Sequence, residues 1–159
     1  MQQNKGTISL QRFLLNQDYY PLHLERIITE HLTLKAYING QKVTLILDTG
    51  ASQSCLHTKA AEDLGLTLSA SEDKAAGIGT IEMEMSGVTV DLLTLGIFQT
   101  SNYQFAVIDL SHVNVALKQV TDVEIQGILG ADVLMNYQAI LDYKTQQLYL
   151  KQPAEKETI

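Results

Sequence analysis

The stretch VTLILDTGAS (residues 43–52) brings a run of apolar, strand-forming residues to an acid, and small turn-forming residues follow at once. A strand that enters a core rarely ends in an unpaired carboxylate, because removing a charge from water is costly. Asp48 is therefore either a turn-forming residue, since Asp, Thr and Gly are common in turns, or a functional acid. An isolated Asp-Thr-Gly favours the turn, so the surrounding sequence has to decide.

A β-hairpin is predicted on the N-terminal side of Asp48. LTLKAYI (32–38) alternates well enough for a strand, and QKVTLIL (41–47) returns as its partner. Asn39-Gly40 lies between them, and this dipeptide is the strongest short hairpin signal that a sequence offers. The second strand delivers Asp48 at its far end, where Gly50 allows backbone N–H groups to approach the carboxylate.

The rest of the chain is predicted to be mostly β, with one or two short helices. In chain order we expect a helix in 55–66 closed by Gly65, and then a β-hairpin with a mobile tip at 77–79 whose second strand begins at 81. Strands over 88–110 are expected to be broken at Gly96 and around 100–102, and a loop with one short element follows over 111–126. A strand and helix within 127–137 and a closing hairpin over 139–151 complete the chain.

Length and composition favour one compact domain. The chain has 159 residues, of which 45% are hydrophobic, and we expect an N-terminal extension (1–21), one domain (22–152) and a C-terminal tail (153–159). The net charge of −7 and the lack of a Lys/Arg cluster argue against nucleic acid and anionic membranes as partners. No apolar run is long enough to span a membrane, and the first residues lack a signal-peptide core, so we expect a cytoplasmic protein.

A metal or cofactor is not expected. The four histidines are scattered, and the single cysteine, Cys55, excludes an intrachain disulfide. Cys55 and His57 lie two residues apart without a second ligand pair nearby, which is a poor match to zinc sites. The same pair is a weak alternative for nucleophilic catalysis, since no third residue orients it, and Cys55 is more simply a small core residue.

A second signature lies about eighty residues downstream of Asp48. LILDTGAS (45–52) resembles the active-site motif of the aspartic proteases, and GILGADVL (127–134) resembles the second motif of that family. AGIGT (76–80) lies between them, where the family has its flap. The ordered set extends over residues 32–151, and it implies a retropepsin-like acid protease β-barrel.

The resemblance also implies a mechanism. The chain carries one Asp-Thr-Gly, as the single-domain retroviral-type enzymes do, so the expected enzyme is an aspartic endopeptidase that forms its dyad from Asp48 of each subunit of a homodimer. Two close carboxyls share one proton and activate water. An intrachain dyad of Asp48 with Asp132 is a weaker alternative, because the family has a structural position at Asp132. A catalytically silent dimerisation or peptide-binding module is the other alternative, although the motif is intact.

The family's roles can be carried over to the matching loop. Thr49 is expected to hydrogen-bond across the dimer axis, and Gly50 to present its backbone to the acid and to substrate. Ala51 lacks the hydroxyl with which pepsin-like enzymes stabilise the ionised acid, which implies activity at mildly acidic to near-neutral pH. Ser52 and Ala131 stand where retroviral enzymes often have an acid and an arginine, so the dimer is expected to be weaker or built differently.

Further positions have two interpretations each. One concerns the second motif: Ile128, Leu129 and Gly130 either line the substrate pocket and support the active-site loop, or they belong only to the hydrophobic core.

Gly77, Ile78 and Gly79 form either a lid over an extended peptide with apolar side chains or simple strand ends. The closing hairpin over 139–151 is a dimer interface or an ordinary edge. Tyr20-Pro21 resembles a self-processing junction, or Pro21 merely ends a segment.

Overall fold

A computed structural model describes residues 9–70 and 86–151, and the predicted flap residues Gly77, Ile78 and Gly79 lie outside these ranges. Within them, the chain forms eleven strands and four short helices. In order these are α1 Leu10–Leu15, β1 Tyr19–His23, β2 Glu25–Arg26, β3 Leu32–Ile38, β4 Gln41–Leu47, β5 Cys55–His57, α2 Thr58–Asp63, β6 Ser69–Ala70, β7 Ser86–Leu95, β8 Phe98–Ile108, α3 Ser111–Lys118, β9 Gly127–Leu129, α4 Ala131–Asn136, β10 Ile140–Asp142 and β11 Gln147–Lys151. None of these helices is long and apolar enough to cross a membrane.

Six of the strands close into a barrel. They pair in the order β3-β4-β9-β5-β8-β7, and β7 returns to β3 through the pairs Tyr37 with Thr94 and Ile38 with Leu93. β2 and β6 extend this sheet as two-residue strands beside β3 and β7. The predicted mostly-β barrel is confirmed, with four helices in the described ranges instead of the one or two expected.

The predicted hairpin before Asp48 is confirmed at both strands. Asn39 and Gly40 both adopt positive φ, at 49° and 80°, as a tight turn between twisted strands requires. The Asn39 side chain also accepts a hydrogen bond from the Leu92 amide at 2.9 Å, which ties the turn to β7. Alternate residues of the hairpin point into the barrel and are buried there, including Leu34, Ala36, Ile38, Val43 and Leu45.

Parallel pairing brings the two sequence signatures together. β4 and β9 run parallel, with Ile46 beside Ile128 and Leu47 beside Leu129. Parallel strands end at the same edge of a sheet, so Asp48 and Gly130 emerge side by side although they are far apart in sequence. β9 also pairs with β5 on its other side, and β5 runs parallel to β8.

A second, smaller apolar cluster covers the outer face of β4 and β9. Ile46 and Ile128 pack there against α3 and the segment that follows it, in a cluster centred on Ile27, Leu110, Leu117 and Ile125. The buried side chain of Asn114 joins α3 to that segment, since it accepts from the Ile125 amide at 2.9 Å and donates to the Ile125 carbonyl at 3.0 Å. The region 111–126, predicted as a loop with one short element, thus contains an eight-residue helix.

The chain ends form a separate three-stranded sheet in the order β1-β11-β10. β10 and β11 are the predicted closing hairpin, which is confirmed. The expected boundary between extension and domain falls inside β1, because Tyr20 pairs with Leu150 and Pro21 with Tyr149. Pro21 does not break the strand here, since β1 is an edge strand and tolerates a missing N–H. Cleavage at Tyr20-Pro21 therefore requires β1 to leave the sheet.

Two local predictions are wrong. Residues 55–57, expected in a helix, form β5 between β9 and β8, and the helix begins only at Thr58. Its predicted end is confirmed: Gly65 has φ 69°, and Leu66 N–H donates to the Ala61 carbonyl at 2.9 Å. The break expected at 100–102 is absent, because β8 continues through it in register with β7, and Asn102 absorbs the irregularity with φ 53°.

Candidate active site

Asp48 lies immediately after β4 and begins a tight turn. Its amide donates to the Leu129 carbonyl at 3.0 Å, and its carbonyl accepts from the Ala51 amide at 3.2 Å. Its carboxylate oxygen Oδ1 accepts a hydrogen bond from the Gly50 amide at 2.8 Å. A backbone donor at this distance fixes the orientation of the carboxylate, and the approach of this amide is the one expected from the Asp-Thr-Gly turn.

The carboxylate faces solvent in the single chain. Asp48, Thr49 and Gly50 are all exposed, whereas Val43 and Leu45 of the preceding strand are buried. Leu47 is half-buried, so the strand leaves the core one residue before the acid. One copy of the chain therefore does not incur the cost of burying the Asp48 charge.

The second signature packs directly against the Asp48 loop. Ala131 N–H donates to the Ala51 carbonyl at 2.7 Å, and the approach is so close that a Cβ on Gly130 would lie 2.7 Å from the same oxygen. Leu129 is fully buried in the barrel core, and Ile128 is half-buried against the outer cluster. Leu129 supports the loop through its backbone carbonyl, and a pocket-lining role for either side chain stays a prediction.

A polar network that the sequence did not reveal joins the loop to α4. The Asp132 carboxylate accepts at Oδ1 from the Ser54 amide at 3.0 Å and from the Ser54 hydroxyl at 2.7 Å. Its other oxygen accepts from the hydroxyl of Tyr103 on β8. The Ser54 oxygen in turn accepts from the Gly130 amide at 2.9 Å. Neither Ser54 nor Tyr103 carries a sequence motif for this role. The one weak signal is that Ser54 stands just before the short strand β5.

This network argues against the intrachain dyad. Both Asp132 oxygens are engaged by Ser54 and Tyr103, and no hydrogen bond within residues 9–70 and 86–151 joins Asp132 to Asp48. A catalytic dyad requires two carboxyls close enough to share a proton. The second acid for Asp48 is therefore not supplied by Asp132.

The Cys55–His57 alternative is also disfavoured. Burial raises the pKa of the Cys55 thiol to about 11, so the thiolate needed for nucleophilic attack is scarce at neutral pH. His57 is buried, and its Nδ1 accepts a hydrogen bond from the Leu110 amide at 3.1 Å. The Asp109 carboxylate lies farther from that nitrogen, at 3.8 Å. In the part of the chain that the structure describes, no group of three or more His, Cys, Asp or Glu residues is placed to hold a metal ion.

Comparison with known proteins gives the family. The model of a family described as aspartyl protease matches residues 34–133, from β3 into α4. The chain belongs to the aspartyl protease family. The first signature, the Asp48 loop and all but the last residue of the second signature lie within the matched range, whereas the terminal sheet lies outside it.

Solved structures show that this aspartyl protease family member has the retropepsin-like fold. A retropepsin-like aspartic protease from Rickettsia conorii matches 83% of this chain and 90% of its own, with a TM-score of 0.57 and 21% identity. The retroviral protease-like domain of Ddi1 from Leishmania major matches 77% of this chain and 90% of its own, with a TM-score of 0.52 and 20% identity. No curated protein sequence gives a significant match.

Proposed function

We propose that this chain is an aspartic endopeptidase whose catalytic dyad consists of Asp48 from each of two copies. The observation that carries the proposal is the Asp48 carboxylate itself, which is exposed at the end of β4 and yet held by the Gly50 amide. A surface carboxylate that is fixed in orientation by backbone is suited to meet a second copy of itself.

The chemistry needs two carboxyl groups that share one proton. The ionised carboxylate accepts a proton from water as the water oxygen attacks the peptide carbonyl carbon. The protonated carboxyl donates its proton to the carbonyl oxygen. When the tetrahedral intermediate collapses, the C–N bond breaks and a proton passes to the leaving nitrogen.

A homodimer supplies the second acid with the fewest assumptions. The chain has one Asp-Thr-Gly, and Asp132 is engaged by Ser54 and Tyr103. A two-fold axis places the same residue twice around one point, so the exposed surface of Asp48, Thr49 and Gly50 can meet its own copy. In this arrangement Thr49 hydrogen-bonds across the axis.

The substrate that we propose is an extended peptide with apolar side chains next to the bond that is cleaved. Ser52 is exposed in the loop that follows Asp48. We extend the proposal to Gly77, Ile78 and Gly79, which match the family's flap in sequence order and lie outside the described residues, as a lid that excludes water. Extended peptides are held mainly through main-chain hydrogen bonds, with side-chain preferences set by pockets.

The first test is cleavage of a peptide library between about pH 4 and pH 7, with and without pepstatin. Asp48→Asn preserves the shape of the side chain but cannot exchange the proton, so we expect at least about a 100-fold loss of rate. Asp63→Asn is the matched control, since Asp63 is an exposed acid that is paired with Lys59 at 2.8 Å on α2. Equal cleavage by the wild type and Asp48→Asn would refute the proposal, and absence of cleavage would favour the silent binding module.

A mixing experiment tests the dimeric dyad. When wild-type and Asp48→Asn chains exchange freely at equal amounts, about a quarter of the dimers contain two intact chains. Activity at constant total protein is then expected to fall to about a quarter, not to the half expected for independent chains. A linear fall with the wild-type fraction would refute the two-copy site.

A further inference from the structure

The Asp132 carboxylate accepts three hydrogen bonds from residues outside its own helix. It lies in the first turn of α4 and is half-buried. The Ser54 amide, the Ser54 hydroxyl and the Tyr103 hydroxyl all donate to it, and Ser54 itself is fully buried. Three donors from two distant segments therefore converge on one side chain.

Such a set of donors matches a side chain that presents acceptor oxygens on both sides. Asp is acceptor-only when ionised, whereas Asn presents two donor hydrogens on one side. Burial and the bond to Asp132 raise the pKa of Tyr103 well above its ordinary value, so its hydroxyl keeps its proton and remains a donor at working pH. Charge-assisted hydrogen bonds of this kind are stronger and more rigid than neutral ones.

The network fixes the end of the loop that Asp48 begins. Ser54 closes the loop and enters β5, and its carbonyl accepts from the Ala106 amide of β8 at 3.1 Å. Its hydroxyl oxygen also accepts from the Gly130 amide at 2.9 Å. The start of the loop is held by the Leu129 carbonyl, which accepts from the Asp48 amide at 3.0 Å. One short segment, 129–132, thus holds both ends of the turn.

We propose that Asp132, through its hydrogen bonds with Ser54 and Tyr103, is a positioning residue that fixes the loop bearing Asp48. Asp132 acts through Ser54 and touches neither substrate nor water in the reaction. This inference rests on the proposed function for its effect on rate, and on the fold alone for its effect on the loop.

The variants are chosen to separate positioning from bulk stability. Tyr103→Phe removes one donor and keeps the ring, which packs on Phe105 at 4.8 Å. Asp132→Ala removes all three bonds, and Asp132→Asn keeps an acceptor for Ser54. Tyr37→Phe is the matched control, because it removes a hydroxyl from an exposed tyrosine on β3, away from the loop.

Two readouts are measured on the intact chain. The first is amide hydrogen exchange at Gly50 and Ser54, with the Leu148 amide of the terminal sheet as internal reference. The second is kcat, calculated per active site as titrated with pepstatin, with KM measured separately. We expect Tyr103→Phe to speed exchange at Ser54 about 10-fold and to lower kcat about 10-fold with little change in KM, because small displacements of reacting groups are costly.

The series of variants has a defined order. Asp132→Ala is expected to lower kcat about 100-fold. Asp132→Asn keeps the acceptor for Ser54 but turns donor hydrogens toward Tyr103, so it is expected to recover only part of that loss. If Asp132→Ala does not fold, Tyr103→Phe and Asp132→Asn decide the question. Loop exchange and kcat equal to those of Tyr37→Phe, whatever the change in melting temperature, would overturn the positioning role. Absence of cleavage by the wild type overturns the proposed function, whereas unchanged exchange overturns this inference independently of activity.

Discussion

Gly130→Ala tests the closest approach between the second signature and the Asp48 loop. The backbone of Gly130 has φ −106°, which any residue can adopt, so the substitution acts through space alone. A Cβ there would lie 2.7 Å from the Ala51 carbonyl oxygen, 0.7 Å inside the 3.4 Å at which ordinary contact begins. It would also lie 3.0 Å from the Gln53 carbonyl carbon and 3.1 Å from the Gln53 oxygen.

All three obstacles are backbone atoms, so no side-chain rotation relieves them. Overpacking of this kind costs about 1–3 kcal/mol, and rigid neighbours place Gly130→Ala near the upper end. The alanine lowers the entropy of the unfolded chain, which offsets about 0.4–1 kcal/mol. The net loss is about 2 kcal/mol, or about 4–8 °C in Tm for a chain of this length. A shift of the loop of this size is expected to lower kcat by roughly 100-fold.

The assay is thermal unfolding followed by peptide cleavage per pepstatin-binding site. Gly87→Ala is the control, because its Cβ would meet its nearest atom, the Phe105 carbonyl oxygen, at an ordinary 3.5 Å. We expect the control to match the wild type or to be slightly more stable. Equal Tm and equal kcat for the two variants would refute the close approach, and a lower Tm with unchanged kcat would refute its link to the Asp48 loop.

Three further results are expected. Burial raises the pKa of the Cys55 thiol to about 11, so Cys55 should react with a thiol reagent at pH 8 only after unfolding. Cys55→Ala should retain full cleavage activity. Rapid labelling of the native chain would contradict the first of these expectations. The Thr145 hydroxyl lowers the pKa of Asp142, so Thr145→Val should unfold at a lower urea concentration than the wild type near neutral pH. The two urea midpoints should converge as the pH falls through that lowered pKa. An equal difference between the midpoints at all pH values would contradict this prediction. The cleavage rate plotted against pH should peak well above about pH 4. Ala51→Ser should move the pH optimum toward acid, because the added hydroxyl stabilises the ionised dyad. A wild-type peak well below about pH 4 would count against the role given to Ala51.

Local chemistry was enough to predict the elements nearest the site. The Asn39-Gly40 turn and the alternation over 32–38 and 41–47 are short-range signals, and the structure confirms them. β5 was missed because three residues at 55–57 carry too little pattern, and their strand conformation comes from pairing with β9 and β8.

The hydrogen-bond network that holds the Asp48 loop is harder to predict than the motif that contains Asp48. The resemblance to the aspartic proteases identifies Asp48 and Gly130, but it does not identify Ser54 and Tyr103, which lie 78 and 29 residues from Asp132. No pattern in one sequence links residues so far apart when each is an ordinary serine, aspartate or tyrosine. Only the three-dimensional arrangement shows that their donors and acceptors satisfy one another.

The solvent exposure of Asp48, Thr49 and Gly50 has a kinetic consequence for the proposed enzyme. A chain that carries half of a dyad on its surface is inert when dilute. Below the dissociation constant of the dimer, the concentration of competent sites rises with the square of chain concentration, and the fraction of chains that form them rises in proportion to it. Specific activity should then increase on concentration and decay on dilution at the dimer's off-rate. The amount of protein in its compartment would itself act as the switch for proteolysis.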